Sequence, residues 1–204
     1  MLKALLPLTA AAALVAPAIA QSPAADLQLV QQHLRGLTTM TADFSQTDRN
    51  GKTLTGTLML KQPGKIRFQY EKGVPLLIVA DGGALTFVDY SVKQVQRWPV
   101  KNSPLGVLID PSRDIGRYAR VVPGDQRLVS VEANDPKHPE YGRITLVFAR
   151  GGDGPADLAL QGWVALDSQN NRTTVRLSNQ RFGGPVGDQN FRWTDPRRAG
   201  KTAR

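Results

Sequence analysis

Residues 53–70 read TLTGTLMLKQPGKIRFQY, and apolar and polar side chains alternate in both halves of this stretch. In the first half three leucines at even positions share one face, while threonines occupy the other. Residues 66–71 repeat the alternation, and the turn residues Pro63 and Gly64 separate the two runs. A period of two is typical of a strand with one buried face. We therefore predict a β-hairpin with one apolar face and one solvated face.

The alternation continues on both sides of this hairpin, so most of the chain is predicted to be strand. Further candidate strands are 42–46, 76–80, 85–88, 94–98, 127–133, 143–149, 158–166 and 173–178. Ahead of them Leu27, Val30, Leu34 and Leu37 recur at helical spacing, which predicts an amphipathic helix over 24–37. The predicted fold is mainly β with an α lid, an antiparallel sheet covered by short helices. Periodicity does not say whether the sheet closes.

A second covering element is predicted over residues 103–110. Its apolar residues follow one another too closely for a strand with one solvent-exposed face, and they are too few for a long helix. Pro111 ends the segment. We interpret this segment as a short helix or a covering loop.

The first twenty residues have the three parts of a secretory signal: Lys3, an apolar run over 4–15 and small residues at the cleavage site. Prolines interrupt the apolar run, which is shorter than the roughly 20 residues of a membrane-spanning helix. We predict a cleaved signal peptide over 1–20, a single domain over 21–196, and a basic tail over 197–204 that we expect to be disordered.

The formal net charge is +9, and because the predicted signal contributes only Lys3 and no acid, the mature chain carries +8. Most lysines and arginines recur singly along the predicted strands, which favours solvated faces. This pattern is compatible with attraction to acidic partners or anionic lipid head groups. It argues against a nucleic acid partner, because no aromatic and basic motif accompanies the charge.

The residues of common catalytic sites are missing. The absence of cysteine excludes disulfides, thiolate metal sites and thiol nucleophiles. The sequence has neither a Gly-x-Ser-x-Gly elbow nor a phosphate-binding Gly-x-x-x-x-Gly-Lys-Ser/Thr loop. Among the 17 acids no pair stands out for glycoside chemistry. We predict a protein that is not an enzyme, has no catalytic residues and uses no cofactor.

Neither histidine indicates a functional site. His33 falls on the polar side of the predicted helix, so we expect a solvated side chain. His138 lies near Asp135 and Glu140, but two prolines limit how these side chains converge. We therefore predict no metal site.

Several segments occur in a set order after the predicted helix. They are MTADFSQT at 40–47, GTLMLKQPGKIRF at 56–68, LIVADG at 77–82, LTFVDY at 85–90 and NSPL at 102–105. Together they resemble the LolA-type outer-membrane lipoprotein carriers. The resemblance covers residues 25–110, and it is looser beyond that point, where FRW at 191–193 is similar to the closing strand of that family.

The resemblance implies an open, incomplete β-barrel capped by helices, whose apolar interior accepts acyl chains. It further implies a monomeric periplasmic carrier for acylated lipoproteins. Its expected partners are an inner-membrane ABC-type lipoprotein exporter and, where one exists, an outer-membrane lipoprotein receptor. One departure concerns the turn, where members of the family often have an arginine that is proposed to tie barrel to lid. Here Gln62 stands at that position, so control of opening is expected to use other contacts.

Two sets of residues follow from the resemblance and the strand periodicity. The expected cavity wall consists of Phe44, Leu58, Leu60, Phe68, Tyr70, Val79, Phe87 and Trp98. The expected lid consists of Leu27, Val30 and Leu34 on the first helix and Leu105, Val107, Leu108 and Ile109 on the second. For every one of these residues, ordinary core packing is the alternative interpretation.

Two other functions stay open at this point. One is a periplasmic lipid- or lipoprotein-sensing regulatory module, since related folds host different functions. A regulator would be expected to carry a further partner-binding domain, and the mature chain leaves little room for one. The other is a lipid hydrolase, which needs a nucleophile and a base that the sequence does not offer.

Overall fold

The computed structural model of the protein describes residues 22–100, 106–110, 112 and 114–198. The predicted signal peptide, Leu105 of the predicted lid and residues 199–204 of the predicted tail lie outside this range. Tail residues 197 and 198 belong to a short 3-10 helix, Pro196–Arg198.

The chain begins with helix α1 (Pro23–Gly36), close to the predicted bounds. Ser22 caps it, because its hydroxyl accepts a hydrogen bond from the Ala25 amide at 3.2 Å. Pro23 occupies the first turn, where its missing N–H costs nothing. The apolar side of α1 is thereby directed onto the sheet that follows.

Eleven strands make up the sheet. They are β1 (Thr39–Thr47), β2 (Thr53–Lys61), β3 (Lys65–Tyr70), β4 (Leu76–Asp81), β5 (Ala84–Asp89), β6 (Gln94–Pro99), β7 (Ala119–Val122), β8 (Leu128–Asn134), β9 (Arg143–Arg150), β10 (Leu158–Leu166) and β11 (Arg172–Phe182). Between β6 and β7 lies the four-residue helix α2 (Gly106–Ile109). Further 3-10 helices span Ile115–Arg117, Pro139–Tyr141, Pro155–Asp157 and Asp188–Phe191.

The hairpin predicted from residues 53–70 is confirmed. Strands β2 and β3 pair antiparallel, with Leu58 opposite Phe68. Gly64 in the turn has φ +75°, and a Cβ there would lie 2.8 Å from the Cα of Gly82. The turn needs glycine for both reasons. Strand β7 was not predicted, because four residues at a sheet edge leave too short a pattern to detect.

All pairings are antiparallel, and the strand order is β6-β5-β4-β3-β2-β1-β11-β10-β9-β8-β7. Within the described residues the two edge strands, β6 and β7, do not pair with each other, so the sheet stays open. Trp98 on β6 and Ala165 on β10 nevertheless line one cavity, although six strands separate them in the sheet. The sheet is therefore strongly curled, and the predicted open, incomplete barrel is confirmed.

The two faces of the curled sheet are covered differently. The concave face holds the main core, which includes residues of α1 and α2. On part of the convex face, residues 183–198 form what we call the C-terminal strap. Its Val186 and Phe191 pack against Leu77, Val79 and Val88 in a separate apolar cluster. No helix within the described residues is long and apolar enough to cross a membrane.

Candidate functional site

The floor of the concave face is a set of aromatic rings that meet edge to face. The ring centroids of Phe44 lie 5.3 Å from Phe68 and 5.2 Å from Tyr70, and Phe68 lies 5.9 Å from Trp163. The Tyr70 hydroxyl donates to the Gln46 side chain at 2.9 Å, and burial raises the pKa of Tyr70 to about 12. These contacts fix the rings in place.

Above this floor the concave face encloses a cavity of about 270 Å³, which we call the hollow. Its lining residues are Gln46, Phe68, Ile78, Leu85, Phe87, Trp98, Trp163, Ala165, Thr173 and Val175. Apolar side chains dominate this set. Several of them, among them Ile78, Phe87 and Trp98, are only half-buried, so solvent reaches the wall of the hollow.

A groove continues from the hollow toward the surface. It has a volume of about 510 Å³ and shares Trp98, Ala165 and Thr173 with the hollow. Farther out it is lined by polar groups, including Glu140 and Asp167. An apolar hollow that opens into a groove with a polar rim suits a ligand that has an apolar part and a polar part.

Helix α2 closes another side of the concave face. Its Val107, Leu108 and Ile109 are buried in the main core. Two hydrogen bonds join it to the turn between β2 and β3: the Gly64 amide donates to the Ile109 carbonyl at 2.7 Å, and the Gln62 side chain donates to the Leu108 carbonyl at 2.9 Å. Gln62 thus ties sheet to lid at the position where the family was expected to have arginine.

A second cavity of about 270 Å³ lies beside α2, lined in part by Gly82, Gly83, Pro99 and Ile109. Helix α2 is therefore incompletely packed on this side. Within the described residues, this four-residue helix is held by its three buried apolar side chains and two hydrogen bonds, and it has empty space beside it.

Helix α1 is attached more firmly. Asp26 is 7% exposed and accepts a hydrogen bond from Arg150 of β9 at 2.7 Å. His33, expected to be solvated, is fully buried. Its Nδ1 lies 2.8 Å from the Pro155 carbonyl, and its ring meets Phe148 edge to face. The expectation was wrong because the 3-10 helix Pro155–Asp157 covers the polar side of α1.

The protonation of His33 follows from these contacts. Because a carbonyl only accepts hydrogen bonds, Nδ1 must donate and Nε2 carries no proton in the neutral ring. Burial lowers the pKa of His33, and the Pro155 hydrogen bond opposes this only in part. Nε2 is buried without a hydrogen-bond partner within the described chain. The ring is therefore neutral and serves to hold α1 in place.

The structure divides the predicted cavity wall into three groups. Phe68, Phe87 and Trp98 line the hollow. Four others, Phe44, Leu58, Leu60 and Tyr70, lie in the packed core of the concave face. Val79 is placed elsewhere: it lies on the convex face, beneath the C-terminal strap.

The misplacement of Val79 has a physical cause. Strand β4 is apolar at five successive positions, 76–80, because the strap covers its convex face while the core covers its concave face. A strand buried on both faces shows no alternation. Its pattern therefore could not indicate which residues point inward, and the inward ones are Leu76, Ile78 and Ala80.

The predicted lid residues all contact the main core where they are described. Val30, Leu34, Val107, Leu108 and Ile109 are buried in it, and Leu27 packs against it. Because α1 and α2 are attached so differently, these residues belong to two distinct covers.

The predicted cavity wall does not include Trp163, Ala165 and Val175, which line the hollow from strands β10 and β11. In β10 the register shifts between Leu160 and Gly162. Inward side chains therefore change from Leu158 and Leu160 to Trp163 and Ala165. Such a bulge reverses the phase of the alternation, and Gly162, with φ +147°, was the single sequence signal for it.

The described part of the chain holds no group of three metal-binding side chains. His138 Nδ1 lies 2.9 Å from Glu140 Oε1, and its ring stacks on Tyr141 with centroids 4.6 Å apart. These contacts account for the polar loop at 135–140.

Comparisons with known proteins found one matching family, similar sequences and a similar fold. Residues 35–194 match the family described as “Outer membrane lipoprotein carrier protein LolA”. An outer-membrane lipoprotein carrier protein of Chromobacterium violaceum is 28% identical, and the match covers 96% of each chain. Its counterpart in Xanthomonas oryzae pv. oryzae is 31% identical over 84% of this chain and 85% of that one.

Among solved structures, MucA/MucB of Pseudomonas aeruginosa is similar with a TM-score of 0.50 and 12% identity. The match covers 84% of this chain and 62% of that one. At this identity the likeness shows the fold alone.

Proposed function

Because the chain belongs to the LolA family of outer membrane lipoprotein carrier proteins, we propose that it carries acylated lipoproteins across the periplasm. An inner-membrane ABC-type exporter releases the cargo to it, and it delivers the cargo to the outer membrane. The predicted signal peptide supports the periplasmic location. The observation that carries the proposal is the apolar hollow on the concave face, continuous with a polar rim.

The hollow must enlarge to accept cargo. Its volume of about 270 Å³ lies just below the roughly 300–1,000 Å³ of pockets for drug-sized ligands. A lipoprotein carries several long acyl chains, so one of the covers has to move. We propose that α2 moves, because two hydrogen bonds and a small apolar patch hold it, whereas a partly buried ion pair and the buried His33 hold α1.

Displacing α2 also moderates affinity. A buried methylene contributes about 0.8 kcal/mol, so one palmitoyl chain contributes on the order of 12 kcal/mol if fully buried. Exposing Val107, Leu108 and Ile109 costs about 5–9 kcal/mol, at about 1.5–3 kcal/mol for each side chain. Displacement of α2 therefore offsets part of the free energy gained by burying the first acyl chain.

The test compares two matched substitutions. Phe87→Gln places an amide in the wall of the hollow, while Val95→Gln does so on the convex face of the neighbouring strand; both side chains are half-buried. We expect Phe87→Gln to lower the release of lipoproteins from inner-membrane vesicles about tenfold, as a loss of about 1.4 kcal/mol implies. Val95→Gln should act like the wild type. Equal release by all three proteins would contradict the proposal.

The carrier function requires no catalysis. Incubating the mature protein with an esterified lipid should release no fatty acid, and sustained release would identify a hydrolase instead. The regulatory alternative gains no support from the likeness in fold to solved structures, because a fold shared at 12% identity carries no functional information.

A further inference from the structure

The convex face has a covered half and an uncovered half. The C-terminal strap packs over β3 and β4, where Arg67 donates to the carbonyls of Asn190 and Arg192 at 3.1 and 3.0 Å. Two ion pairs also join the sheet to the strap: the Nζ atoms of Lys61 and Lys65 lie 2.7 and 3.0 Å from Oδ1 of Asp188. Positive charge on this half is therefore largely engaged with the strap.

The half that no other described segment covers lies on β9, β10, β11 and β1. Four exposed arginines project from it: Arg143, Arg172, Arg176 and Arg181. The register places them on one side of the sheet, since Arg143 and Arg172 both lie opposite Leu166 of β10, and Arg176 lies opposite Gly162. Arg181 lies opposite Thr41 of β1. We call these four residues the arginine strip.

No carboxylate within the described residues forms an ion pair with the arginine strip. The nearby acids are engaged elsewhere. Asp43 accepts from the Asn179 amide at 2.7 Å, Asp167 from the Asn171 amide at 2.7 Å, and Glu132 pairs with Arg120 at 2.7 Å. The strip therefore presents four positive charges that no ion pair within the described residues compensates, although the Asp43 carboxylate beside it keeps its negative charge.

We infer that the arginine strip docks the protein on the anionic surface of a phospholipid bilayer. Three of its arginines extend over nine residues of one strand, about 30 Å at roughly 3.3 Å per residue. Such a long charged strip suits a broad charged surface.

A protein partner fits this surface less well. Protein interfaces are centred on buried aromatic or apolar side chains. The three large apolar side chains that are exposed in the described chain are Tyr90, Val92 and Leu128, and none belongs to the strip. The apolar side chains among the arginines, such as Val164 and Leu166, are only half-exposed, so the charged side chains project farthest, which favours lipid head groups over a protein epitope.

This inference goes beyond the proposed function and does not depend on it. Docking by charge would hold the carrier weakly and reversibly at a membrane, since each basic residue near an anionic surface strengthens binding about fivefold. The convex face would meet the bilayer, and the hollow on the other face would stay free.

The experiment measures binding of the full mature protein to vesicles in the absence of lipoprotein. We expect binding to vesicles of phosphatidylcholine and phosphatidylglycerol, little binding to pure phosphatidylcholine, and loss of binding as salt is raised. The triple variant Arg172→Gln, Arg176→Gln, Arg181→Gln should bind about a hundredfold more weakly.

A matched control removes the same charge elsewhere, with Lys72→Gln, Lys93→Gln and Lys137→Gln in three exposed turns. This control should stay within about threefold of the wild type, because charges farther than about 10 Å from the contact are screened. Asp43→Asn removes the acid beside the strip and should tighten binding.

Two results would overturn the inference. Equal losses in the two triple variants would mean that net charge and not this face determines binding. Failure of the wild type to bind anionic vesicles at low salt would remove the bilayer as partner. Neither result would affect the acyl-binding proposal, which the lipoprotein release assay tests separately.

Discussion

At the scale of single residues, Gln62 has the clearest connection to opening. Its side chain bridges from the β2–β3 turn to the Leu108 carbonyl of α2. A lone neutral hydrogen bond is worth about 0.5–1.5 kcal/mol. Such a bond biases the lid toward the closed state without locking it.

We predict that Gln62→Ala eases opening. Loss of the hydrogen bond leaves the Leu108 carbonyl without this donor in the closed state, so fluorescent fatty acid should bind about three- to tenfold more tightly. Gln94→Ala, at an exposed position on β6, should leave the affinity unchanged. Equal or weaker binding by Gln62→Ala would show that the bond does not restrain the lid.

His33 makes the folding stability of the protein depend on pH. Burial lowers the pKa of His33 below its ordinary value of 6.5 in the folded state, so the unfolded chain binds the proton more readily. The histidine's contribution to stability is therefore fully present at neutral pH and is lost as pH falls below about 6.5.

We predict that the free energy of unfolding falls as the pH drops below about 6.5, with a slope of at most about 1.4 kcal/mol per pH unit from this group. In His33→Gln this part of the slope should disappear. Urea denaturation across the pH range measures it, and His138→Gln, at an exposed position, is the control. Parallel curves for the wild type and His33→Gln would contradict the assignment.

At the scale of elements, the two helices play different parts. Helix α1 is fixed by its cap, by the Asp26–Arg150 pair and by His33 beneath the 3-10 helix Pro155–Asp157. Helix α2 has four residues and an empty cavity beside it. The resemblance grouped both helices into one lid, but their attachments indicate that only α2 moves.

We predict that acyl binding moves the segment around α2 and leaves α1 in place. The chain has no cysteine, so spin labels can be attached at chosen positions. With a reference label at Thr55→Cys on β2, the distance to Ser112→Cys should change when palmitate is added. The distance to Gln32→Cys on α1 should not. A change in the α1 distance alone would reverse the assignment.

At the scale of the whole molecule, the curl of the sheet creates the site. The hollow combines side chains from β6 at one edge with side chains from β10, and six strands lie between these two in the sheet. Ligand binding to such a surface couples to global stability, because the unfolded chain has no hollow.

We predict that palmitate at a hundred times its dissociation constant raises the free energy of unfolding by about 2.7 kcal/mol. Chemical denaturation with and without palmitate measures this difference. Phe87→Gln should show a smaller rise at the same palmitate concentration. A rise of the same size in Phe87→Gln would place the bound palmitate outside the hollow.

Alternation and turn residues are local signals, so the sequence was enough to predict ten of the eleven strands, the first helix and the hairpin at 53–70. The family followed from the resemblance of its ordered segments. Of the expected cavity wall, Phe68, Phe87 and Trp98 line the hollow. Tertiary structure alone decided that Val79 faces outward, that Trp163 and Ala165 line the hollow, and that His33 is buried. The physical reason is that the direction of a side chain depends on what covers each face and on a bulge at Gly162. Both depend on contacts between residues far apart in the chain.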